Sequence, residues 1–516
     1  MILPILISAV LFYLSFPNIF FLQGFSSCAW IFAVPLFFAL DQKNIWGRIR
    51  LGFLFGLLSN LAVVNWMIPY SALGYLLLSI ALTSQAVVFA ILYVPIKHQR
   101  FVQIIYVPCA WVASEFLRKL LMMGQSWDLA HSQSFDIHLL QSARVFGSAG
   151  ISFELIFVNY LFYMVLFGLQ QSRPQSKKIT TQRKLIVITI LVFAVLIYGY
   201  GFFSIDRHHQ SQSVYKICIL QPNIDYHGEL SLGRVEQIVD DQIALTEQAL
   251  KDAKPDLVVW PETAIPMDFL KDSLLKEKMV AFVQSVDVPF LIGAVIEDKV
   301  GLHNSAVFLD QKGVVKKVYY KRHLIPLTEY IPSTLFWRMI AKVFHVESPG
   351  LVPGKDSGLM EITSRSRGDK TRFGVAICSE DNVAQVFRQY RNQGAGFVVV
   401  LLNNGWFTQK AGLVMHAQHS VIHAAENSIP VLRVANTGLS GWIDQSGRLR
   451  QESLDTLEQK TFFHYSVVTQ PVQRSVGNLL DSFYLFCLSF VIITLSYLLL
   501  EKLFIKNRFK IFRKHI

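Results

Sequence analysis

Three residues of this chain pair reactive side chains with settings suited to an active centre. Glu262 follows the apolar run DLVVW in DLVVWPETAIP, beside Pro261; Lys321 ends the strand-like VYY of VYYKRHLIPLTEYIP; Cys378 ends the apolar run of RFGVAICSED. Together they form a set for acyl chemistry. A thiol attacks a carbonyl carbon, a carboxylate moves protons, and an ammonium faces the developing oxyanion. Each has an ordinary alternative when taken alone. A cysteine ending a strand is usually a small core residue. A glutamate after Trp-Pro usually opens a turn or helix. A lysine among Lys316, Lys317 and Arg322 usually lines a solvated edge. The three in order, each at a strand end where α/β folds gather their sites, carry the catalytic reading. No GxxxxGK[ST], HExxH or GxSxG run accompanies them, so those mechanisms have no local support.

The elements that must position these residues lie between 206 and 477, where strand and helix patterns alternate. VYKICIL, DLVVW, VPFLIGAVI, RFGVAIC, GFVVVLLN, IPVLRVAN and GWIDQSG read as strands, and SAVFLDQKGVVKKVYY reads as a hairpin around Gly313. SLGRVEQIVDDQIALTEQALKDA carries apolar residues at helical spacing. The pattern implies a layered α/β domain with a mixed sheet. Cys218 falls mid-strand and is expected to be buried and inert.

At this point the chain resembles a known superfamily. WPET, the YxKxHLxPxxEYxP run and the strand ending in CSE are similar to the Glu, Lys and Cys motifs of the nitrilase superfamily. Apolar spans around such a domain resemble the bacterial apolipoprotein N-acyltransferases, and the likeness covers nearly the whole chain. The resemblance implies an α-β-β-α sandwich, with Glu262 as general base, Lys321 as oxyanion stabiliser and Cys378 as nucleophile. Glu329, Glu380 and Ser379 become supporting residues, the last through its backbone N–H. Trp127, Tyr226, Phe336, Trp337 and Trp406 become candidate lipid or substrate contacts. The implied reaction moves an acyl chain from a phospholipid, through a cysteine thioester, to the α-amine of a diacylglyceryl-cysteine at a lipoprotein N-terminus. No cofactor and no metal is implied. The chain departs from the family's common pattern at Thr328, Ser379 and Asn404, at Tyr226 and His227, and at GQSWD.

Composition accounts for the rest of the chain. The 516 residues are 52% hydrophobic and only 16% charged, against about 25% charged in a soluble protein, and mean hydropathy is +0.39. The deficit is concentrated in 1–205 and 478–501. A span needs about 20 apolar residues, and eight candidates lie near 3–22, 25–41, 51–69, 73–95, 101–118, 150–168, 185–204 and 478–500. The expected domains are therefore a seven-helix membrane part over 1–205, a catalytic part over 206–477, and a last span with a basic tail over 478–516. Basic segments at DQKNIWGRIR, IKHQR, QQSRPQSKKITTQRK and the C-terminus fall on one side of eight threaded helices, with Arg118 and Lys119 as the exception. The positive-inside rule then places both termini in the cytoplasm and the catalytic part outside the bacterial cytoplasmic membrane. The net charge of +12 belongs to these topology signals rather than to nucleic-acid binding, for which no motif is present. Of five cysteines, two lie in the soluble part, too few for a disulfide framework.

Further features have structural readings by default. Glu115 and Glu154 read as polar helix-packing residues. Asn304 reads as capping or pinning the hairpin. His416, His419 and His423 share a helix face as ordinary exposed histidines, with zinc a minor alternative. In STLFWRMIAKVFHVESP, Leu335, Phe336, Met339, Ile340, Val343 and Phe344 share one face, suiting either docking on the domain or an arm in the headgroup region. Two other functions use the same chain: a membrane-tethered nitrilase-like amidase, and a non-enzymatic transporter or scaffold.

Overall fold

The computed structural model describes residues 2–95, 100–168, 177–205, 213–226, 230–405, 407, 409–450, 456–469 and 478–514. The chain folds as two compact units, one of 1–205 with 476–516 and one of 206–475.

The first unit is helical. Its elements are α1 (Ile2–Ser15), α2 (Ala33–Asp41), α3 (Ile45–Val63), α4 (Ala72–Leu92), α5 (Arg100–Leu121), the short α6 (Ile137–Leu140), α7 (Ala143–Tyr163), α8 (Lys177–Ile205) and a C-terminal helix, Asn478–Lys514. Among the described residues, four helical stretches are long and apolar enough to cross a membrane: Ala72–Leu92, Ala143–Phe167, Thr181–Ile205 and Ser482–Glu501. The first expected span, 3–22, is shorter than the composition suggested. Its helix stops at Ser15 ahead of Pro17, and the Asn18 side chain closes a turn by accepting from the backbone of Phe20 and Phe21 at 2.9 Å each. Fourteen residues reach about 21 Å, short of a hydrocarbon core of about 30 Å. The second expected span, 25–41, divides into a 3₁₀ turn at Ser26–Trp30 and α2. The expected 150–168 span begins earlier, at Ala143, and bends at Gly147, whose φ of 68° suits a residue without Cβ.

The second unit is built on two sheets. β1 (Ser213–Gln221), β2 (Leu257–Val259), β3 (Phe290–Glu297), β4 (Leu302–Leu309), β5 (Val315–Tyr320) and β11 (Thr461–Thr469) make a six-stranded sheet in the order β11-β1-β2-β3-β4-β5. β6 (Met360–Thr363), β7 (Lys370–Ile377), β8 (Phe397–Leu402), β9 (Val431–Ala435) and β10 (Gly441–Ile443) make a five-stranded sheet in the order β10-β9-β8-β7-β6. β1, β2 and β3 run parallel, as do β7, β8 and β9, and antiparallel strands flank each set. The mixed sheet expected from the sequence is thus a pair of mixed sheets.

Period-two alternation builds the layers. Ile217, Ile219, Leu257, Val259 and Leu291 meet Phe373, Val375, Val399, Leu401, Leu432 and Val434 between the sheets. Cys218, Leu220, Val258 and Ile292 point the other way, onto Val235, Val239, Met279 and Val283 of α9 (Leu232–Leu250) and α10 (Ser273–Val286). Strands buried on both faces need no polar positions, which is why they read as continuous apolar runs. α11 (Leu335–Val343) follows β5, and α12 (Ala384–Asn392) and α13 (Lys410–Asn427) contact β7 and β9 of the second sheet. Helices thus cover both sheets in an α-β-β-α arrangement. Cys218 is fully buried, and its thiol pKa is pushed up to about 12 by desolvation.

Candidate active site

The parallel strands end on one edge, and the reactive residues sit just past those ends. Glu262 lies three residues beyond β2, Lys321 directly follows β5, and Cys378 directly follows β7. Asn304 stands near the start of β4, which runs antiparallel to β3, so it falls on the same edge, paired with Val295. Gly293 on β3 allows the Glu262 turn to come this close. A Cβ there would lie 2.1 Å from the Pro261 carbonyl oxygen and 2.7 Å from Glu262 Cα.

Glu262 is buried and held from three directions. The Asn304 side-chain amide donates to Oε1 at 2.8 Å, the Asn403 backbone N–H donates to Oε2 at 2.7 Å, and the Cys378 thiol hydrogen-bonds the same carboxylate. Lys321 is also buried, with Nζ 2.8 Å from Glu329 Oε1. Glu329 in turn accepts from the Ile325 backbone at 2.8 Å. The Lys321 backbone N–H donates to the Asn304 carbonyl at 2.9 Å, so one asparagine links the strand carrying the lysine to the carboxylate.

Cys378 adopts φ +50°, a left-handed conformation costing a non-glycine residue about 1–2 kcal/mol. Glu380 provides the restraint. Its buried carboxylate accepts from the Ile377 backbone at 2.8 Å, from the Tyr319 hydroxyl at 2.8 and 2.9 Å, and from the backbone of Arg322 and His323 at 2.8 and 3.3 Å. That single side chain therefore ties the cysteine turn to the Lys321 segment. The Ser379 hydroxyl adds a bond to the His323 carbonyl at 2.9 Å. On the far side of the turn, Asp381 is buried against Arg433 and accepts from Ser420 Oγ at 2.6 Å.

Electrostatics set the resting protonation. Desolvation, then the Glu262 carboxylate, raise the Cys378 pKa well above the ordinary thiol value, with Lys321 opposing. Proximity to a lysine, which favours thiolate by itself, is outweighed here. Burial raises the Glu262 pKa, and Lys321 pulls it back down. Burial works against the Lys321 ammonium, but Glu329, Cys378 and Glu262 together raise its pKa above the ordinary lysine value. A neutral thiol, a carboxylate and an ammonium in one dry cluster suit nucleophilic attack with proton transfer to the carboxylate.

The other expected residues are distributed as follows. Tyr226 stands at the site, its hydroxyl donating to the Thr263 carbonyl at 2.9 Å, one residue from Glu262. Trp127 belongs to the helical unit, where its carbonyl accepts from Arg118 at 2.8 Å. Trp337 is half-buried on α11. Phe336 lies on that helix with its side chain outside the described atoms, and Trp406 and His227 lie outside the described residues. The histidines expected to be exposed are inside: His419 and His423 are buried in α13, and His416 contacts Asn404 at 3.2 Å. Burial, then Arg433, lower the His416 pKa to about 4, so it is neutral at physiological pH. Among the described residues, no group of three or more His, Cys, Asp or Glu is placed to hold a metal ion.

Two contributors were read otherwise or missed. Asn304 was expected to pin the hairpin, and its side chain instead holds Glu262. Asn403 acts through its backbone, which no side-chain pattern reveals. The one available signal was position: Asn403 ends GFVVVLLN just past a strand, on the edge where the triad collects.

Comparison with known proteins matches this arrangement. Residues 216–477 match the carbon-nitrogen hydrolase model, and residues 8–161 match the apolipoprotein N-acyltransferase N-terminal domain. The chain is 28% identical to apolipoprotein N-acyltransferase 1 of Treponema denticola, over 97% of this chain and 96% of that protein. It is 28% identical to apolipoprotein N-acyltransferase of Geobacter metallireducens, over 86% of this chain and 85% of that protein. The Thermotoga maritima relative of the same name is 26% identical over 86% and 83%. With its second unit matched almost throughout, the chain belongs to the carbon-nitrogen hydrolase family, and its domain pairing is that of the apolipoprotein N-acyltransferases.

Proposed function

We infer that this chain is a membrane N-acyltransferase of lipoprotein maturation, and that Glu262, Lys321 and Cys378 carry its reaction. The acyl donor in this reading is a phospholipid. Cys378 Sγ attacks the ester carbonyl while Glu262 takes the thiol proton. The Lys321 ammonium faces the developing oxyanion, where a cation counts most in a dry site. Glu262 returns the proton to the departing lipid alkoxide, leaving a thioester. The α-amine of a diacylglyceryl-modified apolipoprotein then attacks that thioester, forming the amide and releasing the thiol. The two half-reactions share one carboxylate and one cysteine, which is ping-pong kinetics.

The supporting observation is the hydrogen bond between the Cys378 thiol and the Glu262 carboxylate, with Lys321 buried in the same cluster. A raised thiol pKa suits it, because the proton must then leave to a base during attack. The amidase reading uses the same three residues and differs only in taking water as acceptor. The N-terminal domain match and the apolar helices favour lipid-anchored substrates instead.

In this reading the eight apolar segments of the helical part lie in the bacterial cytoplasmic membrane, both termini are cytoplasmic, and the domain over 206–477 faces outward. The alternation of basic and neutral loops supports that orientation. α11 supports a membrane-facing surface on the catalytic unit: Leu335 and Val343 are 75% and 66% exposed, as are Met339 and Phe344 in large part, with Arg338 and Lys342 exposed beside them. Such a helix suits the headgroup region. Mass spectrometry of a lipoprotein N-terminus from cells with and without this protein tests the function. One acyl chain is expected to disappear with the protein, and an unchanged acyl count contradicts the reading.

A further inference from the structure

An arginine stands in the middle of a strand that is buried on both faces. In β9, Leu432 and Val434 enter the layer between the sheets. Period-two alternation then turns Arg433 to the helix side, where it is fully buried. It pairs in register with Val400 of β8, which pairs with Ala376 of β7, two residues before Cys378. Its Nε donates to the Leu439 carbonyl at 3.2 Å. Its Nη1 pairs with the Asp381 carboxylate and donates to Ser420 Oγ at 2.6 Å, and Ser420 Oγ donates to the other Asp381 oxygen at 2.6 Å. These three fully buried residues close a ring that joins β9, the Cys378–Asn382 turn and α13.

Stability alone does not explain the ring. A buried ion pair gives up the hydration of both ions, and apolar side chains of similar volume are often no less stabilising. What the ring adds is a second hold on the nucleophile turn. Glu380 ties that turn to the Lys321 segment through Tyr319 and the Arg322 backbone. Asp381, the next residue, ties it to α13 and β9. Two adjacent carboxylates thus anchor the turn to different elements while Cys378 keeps its φ of +50°. Arg433 is also near enough for its charge to act on Cys378. Without Asp381 it would be a second cation beside the thiol, after Lys321. We propose that Asp381 and Arg433 are a positioning pair for Cys378: they hold the nucleophile turn in its reactive geometry and, as a neutral unit, keep the arginine's charge from competing with Lys321 at the thiol. The proposal rests on the acyltransferase reading above for the step it serves. Both residues act through the turn and not on the substrate.

The charged groups acting on the Cys378 thiol are Glu262, Lys321 and Glu329 at the strand ends and Arg433 on β9, while His416 of α13 lies near the pair and is neutral. Removing one charge of the pair therefore has a defined sign. In full-length enzyme in detergent, Asp381→Asn leaves Arg433 uncompensated and favours thiolate. The rise of Cys378 alkylation by iodoacetamide should then move to lower pH, and the other four cysteines are buried. Asp381→Glu keeps the charge and should keep the wild-type profile. The double variant Asp381→Leu with Arg433→Met removes both charges. Its unfolding midpoint and alkylation profile should stay close to wild type. Its loading from a phospholipid donor should nevertheless slow, toward the roughly 100-fold that a displacement of about 1 Å can cost. Wild-type loading in the double variant, or an alkylation profile that stays in place in Asp381→Asn, overturns the assignment. No loading in wild-type enzyme whose Cys378 still alkylates would instead overturn the acyltransferase reading.

Discussion

A buried ionic cluster in the helical unit and the reactive cluster of the catalytic unit are built to opposite ends. In the helical unit, Arg118 pairs with Asp128 at 2.9 Å and donates to Gln85 at 2.6 Å and to the Trp127 carbonyl at 2.8 Å. The second Asp128 oxygen accepts from Ser148 and from Tyr484 of the C-terminal helix, both at 2.8 Å. Every partner is a fixed side chain or backbone group, and the cluster joins α4, α5, α7 and the C-terminal helix. In the catalytic unit, the Glu262 carboxylate is shared by two fixed donors and by a thiol whose proton can leave. The Lys321 ammonium pairs with Glu329 and not with Glu262. Both clusters accept the cost of burying charge. The difference is that the first cluster contains no thiol, while the second sets a thiol against a carboxylate beside a cation. Burial of charge alone therefore does not identify a catalytic site; a nucleophilic thiol set against a base and a cation does.

Separating stability from chemistry breaks the comparison most directly, and the largest effect is expected in the helical unit. Asp128→Leu leaves Arg118 buried without its partner and should destabilise the protein by about 3–5 kcal/mol. Thermal unfolding in detergent would report it as a lowered midpoint. Acyl loading per folded molecule should stay close to wild type, and a specific loss of loading in folded Asp128→Leu would mean that this cluster is not merely structural.

In the catalytic unit the balance should reverse. Glu262→Gln and Lys321→Met are each expected to slow donor loading of Cys378 by about 100- to 1,000-fold, the range for losing a general base or an oxyanion partner. Their combined loss need not be the product of the two, because both act on one step. Pre-steady-state loading with a fluorescent phospholipid measures this, with the unfolding midpoint as the control.

A smaller effect sharpens the electrostatics. Loading requires the Glu262 carboxylate, so its rate should rise with pH through the raised Glu262 pKa. Lys321 is the neighbour that lowers that pKa against burial. Lys321→Met should therefore move the acid limb of the remaining activity to higher pH. A limb that stays in place or moves to lower pH would show that another group titrates there.

Much of the catalytic unit was legible because local signals agree with the fold. WPET, the Lys321 run and CSE each sit at a strand end, and the two-sided burial of β1, β7 and β8 leaves unmistakable apolar runs. What could not be read depends on contacts across long separations. Asn304 looked like a hairpin residue because its partner is 42 positions away. His419 and His423 looked exposed because helical spacing alone does not tell a helix with one buried face from α13, which is buried nearly all round. The sequence also implied a 3–22 span, since hydropathy does not register that Asn18 closes a turn after Pro17.

The central claim is that Cys378 carries the acyl chain. Intact-mass analysis of enzyme incubated with phospholipid donor and no acceptor tests it most directly. Wild type should gain the mass of one acyl chain, lose it to neutral hydroxylamine as a thioester does, and lose it to an amine acceptor. Cys378→Ala should gain nothing, and Cys218→Ala, lacking only a buried strand thiol, should behave as wild type. An adduct that persists in Cys378→Ala and vanishes in Cys218→Ala would contradict the account.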